Sequence, residues 1–126
     1  MSIRRAAMAA LVVCIAAPAL PVEKSGPPSA LRLIRVPQGG IQPQAIVDDK
    51  GVIHLVYFNG EPRQGDLFYV RSTDGGATFS PPLRVNSQAG SAIAAGTIRG
   101  GQIALGENGR VHVAWNGSKI ARPKVR

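Results

Sequence analysis

The stretch Gln44-Ala45-Ile46-Val47-Asp48-Asp49-Lys50-Gly51-Val52-Ile53-His54-Leu55-Val56-Tyr57 returns 58 residues later as Gln102-Ile103-Ala104-Leu105-Gly106-Glu107-Asn108-Gly109-Arg110-Val111-His112-Val113-Ala114-Trp115. Each copy is a short apolar run, a polar turn closed by glycine, and a second apolar run ending on an aromatic residue. Gln matches Gln, Gly matches Gly, His matches His, and Tyr57 matches Trp115. Apolar runs of this length joined by such turns read as β-hairpins, and Asn108-Gly109 is the residue pair that tolerates the positive φ of a tight hairpin turn. Val52–Phe58 is apolar on both faces except at His54, the pattern of a strand covered from two sides.

Working outward, short apolar runs separated by Gly, Pro, Asn and Asp predict strands at 31–36, 44–48, 52–58, 67–72, 83–86, 102–105 and 111–115. The chain carries 15 Gly and 10 Pro in 126 residues and shows no sustained helical stripe beyond its N-terminal stretch, so the fold class is all-β. A period of about 58 residues with several strands per unit fits the blades of a propeller. A single β-sandwich holding two similar hairpins is the alternative.

Between the copies lies Ser72-Thr73-Asp74-Gly75-Gly76-Ala77-Thr78-Phe79. Its local logic is legible: Asp74 can accept from turn amides, Gly76 can take a positive φ, Thr78 can tie the loop back, and Phe79 can anchor the corner in a core. The segment resembles the Asp-box, or bacterial neuraminidase repeat, Ser-x-Asp-x-Gly-x-Thr-aromatic, with Ser72, Asp74, Gly76, Thr78 and Phe79 at the five defining positions. Gly65–Arg71 corresponds to the strand that leads into the box.

The resemblance, to sialidase-like propellers, spans roughly residues 39–118. It implies a partial β-propeller: about two incomplete four-stranded antiparallel blades of a six-bladed sialidase-type architecture, the first over 39–98 and part of a second over 99–118. It marks the chain as an N-terminal fragment of such a fold, either a truncated product or a piece that assembles with other copies through exposed blade edges. The box itself lies on the rim away from the active site in that family and so indicates fold rather than chemistry.

The family binds its substrate carboxylate with three arginines, uses a Tyr–Glu pair as nucleophile and an Asp as acid/base. A guanidinium fork suits a carboxylate, and a tyrosine nucleophile departs from the usual two-carboxylate scheme. Candidates here are Arg35, in Ile34-Arg35-Val36-Pro37, which lies upstream of the expected place, and Arg99, which opens the second copy where Ile41 opens the first. Glu61, Arg63 and Asp66 are the polar residues of the connection Asn59–Asp66, the family's acid/base loop. The nucleophile positions fall beyond residue 126, which implies an incomplete glycoside hydrolase site. Tyr57 and Tyr69 read as core or pocket-wall residues. The expected role is glycan hydrolysis or binding as part of an exported repeat protein, inactive as this short chain; a non-catalytic extracellular module binding carbohydrate or protein is the alternative.

The charge distribution fits export. Of 15 Lys and Arg, two lie in the first five residues and four in the last eight; the nine between them face all seven acids. Residues 1–19 combine the cationic Arg4-Arg5, an aliphatic run and the small-x-small site Ala17-Pro18-Ala19, the form of a secretory signal peptide directing the chain to the periplasm or outside. Cys14 in Leu11-Val12-Val13-Cys14 leaves lipoprotein anchoring as an alternative. Residues 20–38 read as a Pro/Ser-rich linker and leading strand, and 119–126 as a solvated basic tail. Few aromatics and a near-neutral body argue against nucleic acid as partner, and the N-terminal apolar run is too short for a membrane span. His54 and His112 without carboxylate partners are poor metal ligands, and no cofactor motif occurs, so neither metal nor cofactor is expected.

Overall fold

In the computed structural model, which describes residues 31–122, the strand at the centre of the first repeat is buried from both sides as its composition requires: Leu55, Val56, Tyr57 and Phe58 are all buried. Six strands form in two antiparallel sheets. Strands β1 (Ile41–Val47), β2 (Ile53–Glu61), β3 (Gln64–Ser72) and β4 (Leu83–Arg84) lie side by side in chain order; β5 (Gly101–Leu105) pairs with β6 (Val111–Trp115). The helical elements among the described residues are two short 3₁₀ turns, Pro37–Gly39 and Glu107–Gly109, and none of the described residues belongs to a helix long and apolar enough to cross a membrane. These elements belong to one unit, Arg32–Arg126.

The alternation of side chains along β2 and β3 gives the four-stranded sheet two apolar faces. Val56, Phe58 and Leu67 on one face pack with Ala92 and Ala94, and Ile103 and Val113 of the β5–β6 hairpin lie against them. Leu55, Tyr57 and Val70 on the other face pack with Val36, Phe68 and Phe79. The first face is here called the hairpin-side face and the second the open face. Each buried side chain of this size contributes about 1.5–3 kcal/mol, so the two clusters flanking β2 dominate the stability of the sheet.

Three boundaries differ from expectation. The stretch 31–36 does not form a strand; it runs as irregular chain, sets Val36 against Leu55 and Tyr57, and leaves Leu33 almost fully exposed. Its attachment is by side chains because Pro37 opens a 3₁₀ turn with Gln38 at φ 57°, which breaks any extended run into β1. The connection Asn59–Asp66 is mostly strand, since Asn59 pairs with Asp66, Gly60 with Gly65 and Glu61 with Gln64, leaving only Pro62-Arg63 as the turn. Strand β4 stops at Arg84 because the Asn86 side chain, in place of backbone, accepts from the Leu67 N–H at 2.9 Å. The expected signal peptide, Cys14, the linker to residue 30 and the last four residues lie outside the described residues. What is described of the basic tail is held in place: Gln88 donates to the Ile120 carbonyl at 2.8 Å and accepts from the Arg122 N–H at 3.3 Å.

Candidate functional site

The loop that follows β3 is closed by its own side chains. Asp74 accepts from the Thr78 amide at 2.9 Å, the Thr78 hydroxyl at 2.6 Å and the Ser72 hydroxyl at 2.7 Å. Ser72 Oγ in turn accepts from the Gly76 N–H at 2.8 Å. These bonds stabilise the carboxylate and hold the Asp74 pKa far below its ordinary value, with Thr78 the main cause. Gly75 and Gly76 take φ of 67° and 84°, and a Cβ on Gly76 would lie 2.5 Å from Ile34 Cδ1. Phe79 then packs into the open-face cluster. Asp74, Gly76, Thr78 and Phe79 thus make the contacts and take the backbone conformation that their residue types suggested, and Ser72 braces both Asp74 and the Gly76 amide.

The remaining sequence candidates separate in space. Glu61 and Arg63 sit exposed around the β2–β3 turn. Arg99 is exposed in the connection into β5, and this connection is tied to the same end of the sheet: Ala94 N–H donates to the Pro62 carbonyl at 2.8 Å, and Gly100 N–H to Gln42 Oε1 at 2.6 Å. Arg99 lines a cleft of about 440 Å³ with Trp115 and Asn116. Arg35 lies elsewhere, on the open face, in a groove shared with Pro43, Ala45 and Phe79. Asp66 has one carboxylate oxygen committed, accepting from Asn86 Nδ2 and from the Gly90 N–H, each at 2.7 Å. Asn86 also donates to the Gln88 carbonyl and Ser91 Oγ, so Asp66 and Asn86 together shape the loop after β4.

A further polar chain joins residues that the sequence did not connect. His54, buried on the hairpin-side face, places Nε2 3.3 Å from Asp48 Oδ2 and Nδ1 2.7 Å from the Tyr69 hydroxyl. A carboxylate only accepts, so Nε2 carries a hydrogen; in the tautomer with Nδ1 bare, the Tyr69 O–H donates to Nδ1. Asp48 Oδ1 caps its own turn by accepting from the Lys50 and Val52 amides, and this capping, led by Val52, lowers its pKa. Burial raises the Tyr69 pKa, keeping the phenol protonated as the donor this chain needs. Tyr69 borders an apolar cleft of about 300 Å³ with Leu83, Val85 and Val113.

The expectation of histidines without carboxylate partners is therefore corrected for His54, which meets Asp48. In the second copy Gly106 stands where Asp48 does, and the His112 ring occupies the space that a side chain there would fill, with Nε2 2.5 Å from an added Cβ. That exchange of Asp for Gly at matched positions was the available signal for the Asp48–His54 pair. Among the described residues no cluster of three metal-ligating side chains occurs. Comparison with known proteins found no match of this chain to a family model, a curated protein or a solved structure.

Proposed function

We propose that this chain is an exported Asp-box repeat protein of the sialidase-like kind, with β1–β4 as one blade, β5–β6 as the inner half of the next, and a role in binding acidic glycans. The observation that carries the reading is the self-closed loop Ser72–Phe79, whose hydrogen bonds engage Ser72, Asp74, Gly76 and Thr78 while Phe79 packs into the open-face cluster. The meander β1–β2–β3–β4, with the repeated hairpin stacked on its face, supports the blade assignment.

Binding is favoured over hydrolysis because of what the sheet end opposite the box presents. Cleaving a glycosidic bond takes an acid and a nucleophile or base flanking that bond. Asp66 is engaged by Asn86 and Gly90, and Glu61 is exposed on the β2–β3 turn. Arg63 and Arg99 remain as exposed guanidinium groups at that end, suited to the carboxylate of an acidic sugar.

The test is to present the purified chain with an array of neutral and carboxylated glycans and, in parallel, with a fluorogenic sialoside. The expected result is retention on carboxylated glycans without turnover, weakened about tenfold by Arg63→Ala or Arg99→Ala, the effect of losing one charge-assisted contact. Turnover at enzyme-like rates, or indifference to every glycan offered, would overturn the proposal.

A further inference from the structure

The two copies of the repeated hairpin, matched at a spacing of 58 residues, make it possible to ask what each face of the first copy is built to meet. In the second copy Ile103, Leu105, Val111 and Val113 form the inner face: Ile103 pairs with Val113 and Leu105 with Val111, and Ile103 and Val113 pack on the hairpin-side face of the four-stranded sheet. Their counterparts in the first copy are Ala45, Val47, Ile53 and Leu55. These share one face by register, since Ala45 pairs with Leu55 and Val47 with Ile53, and that face is the open one.

The converse holds for the other side. The hairpin-side face receives the second copy through Val56, which with Gln44, Ile46 and His54 matches Ala114, Gln102, Ala104 and His112 in the second copy. Those four second-copy residues form the outer face of β5–β6, and all are exposed. Among the described residues there is thus one completed contact, inner-type face on outer-type face, and one half of the same contact is left unpaired on each of the two remaining faces.

The unused inner-type half is apolar. It forms a groove of about 260 Å³ lined by Pro43, Ala45, Ile53 and Leu55 together with Ile34, Val36 and Phe79, Arg35 being its one charged lining residue. Val47 beside it is 58% exposed, although it corresponds to Leu105, which is partly covered in the second copy. Val36 shields Leu55 and Tyr57, so the open strip runs along β1. The unused outer-type half combines Ala104 and Ala114, which leave room for a partner backbone to approach, with the longer Gln102 and His112.

We infer that the open face of β1–β2 is a docking surface for a second copy of this chain, which seats the outer face of its β5–β6 hairpin there, head to tail. The inference stands on the internal repeat and its packing and does not require any glycan. Because the two contacting surfaces differ, the association is heterologous: each copy uses one surface on one neighbour and the other surface on the next, giving a closed ring or a growing chain.

Two single substitutions at exposed positions test this, Ala45→Arg on the open face and Ala104→Arg on the outer hairpin face. The full chain is examined by sedimentation and multi-angle light scattering across a concentration series. The parent chain is expected to associate, and each variant alone to lose that association by about thirtyfold or more, the effect of breaking a central interface contact. An equimolar mixture of the two variants is expected to form a dimer and nothing larger, because one intact surface of each kind remains in the pair. This complementation also shows that both variants fold. A parent chain that stays monomeric up to about 1 mM, the weak end of specific association, would overturn the inference. So would persistence of association in Ala104→Arg alone, which would mean that two open faces meet each other. A mixture that stays monomeric would overturn it as well.

Discussion

Replacing Asn86 with alanine probes the junction on which the loop after β4 depends. Asn86 is 1% exposed, and its side chain accepts from Leu67 N–H while donating to Asp66, Gln88 and Ser91. Leu67 is fully buried, so its amide would lose its partner with no bulk water at hand, a cost of about 1–3 kcal/mol. The bond to the Asp66 carboxylate would add about 1 kcal/mol, at the low end for a charged acceptor because Asp66 is half-buried and keeps the Gly90 amide. The sum is about 3 kcal/mol, a large part of the stability of a domain this size. Urea unfolding at one fixed protein concentration, which removes any contribution from association, measures it. Amide exchange should show Leu67 and Gly90 losing protection together while Thr78, in the self-closed loop, keeps its own. A loss below about 1 kcal/mol would refute the reasoning, since it would mean that the Leu67 amide finds another acceptor at little cost. The variant N86D sharpens the test: it keeps the acceptor but sets a second carboxylate against Asp66. That repulsion should leave N86D destabilised in the same urea unfolding even though the Leu67 amide keeps an acceptor.

Four further outcomes are expected. Asp74 has a folded pKa below its unfolded value near 3.8, so its contribution is present above that pH and lost as pH falls through the lower, folded value; Asp74→Asn should lower Tm at neutral pH, with the gap to the parent closing toward pH 2 in a pH series of thermal melts. Gly75→Ala should cost about 1 kcal/mol for its positive φ alone, because a Cβ there meets nothing within 4 Å, whereas Gly76→Ala should cost more through the collision with Ile34; denaturant midpoints for the pair decide it. Tyr69→Phe should lower stability by about 1 kcal/mol and shift the His54 ring ¹⁵N resonances while leaving those of His112 in place. Ultraviolet titration should find the two tyrosines ionising above pH 10, since burial raises both Tyr57 and Tyr69, and Tyr69→Phe should leave one such step.

The hairpins and the turn chemistry of Ser72–Phe79 were legible because their signals are local. Val111–Trp115 forms a strand as predicted, and the turns at Gly51 and Asn108-Gly109 take the positive φ that their residues suggested. The double-sided burial of β2 followed from a run with almost no polar residue. Other features depend on partners distant in sequence. The segment 31–36 has strand-like composition but no backbone neighbour, and composition does not say whether a neighbour exists. Asp66 looked like a polar loop residue because Asn86 and Gly90, which engage it, follow 20 and 24 residues later. Likewise Tyr69 reaches His54 only because β2 and β3 pair in a register that sets Tyr69 beside Val56, diagonal to His54. The same pairing places Arg71 opposite His54, and a sequence reading attentive to cross-strand diagonals would have found the contact.

The bonds that shape the corner after β3 all close within a short length of chain: Ser72 to Asp74, Asp74 to Thr78, and Arg71 to Ser80 at the widest. A corner that needs so little from elsewhere has a low loop-closure cost and can form before the sheet is assembled. Its hydrogen bonds draw on no distant side chain, so only the seat of Phe79 in the open-face cluster ties it to this particular sheet. Such autonomy makes the corner portable, and it explains why a segment of this kind tells how a chain bends while leaving open what the opposite end of the sheet has been shaped to hold.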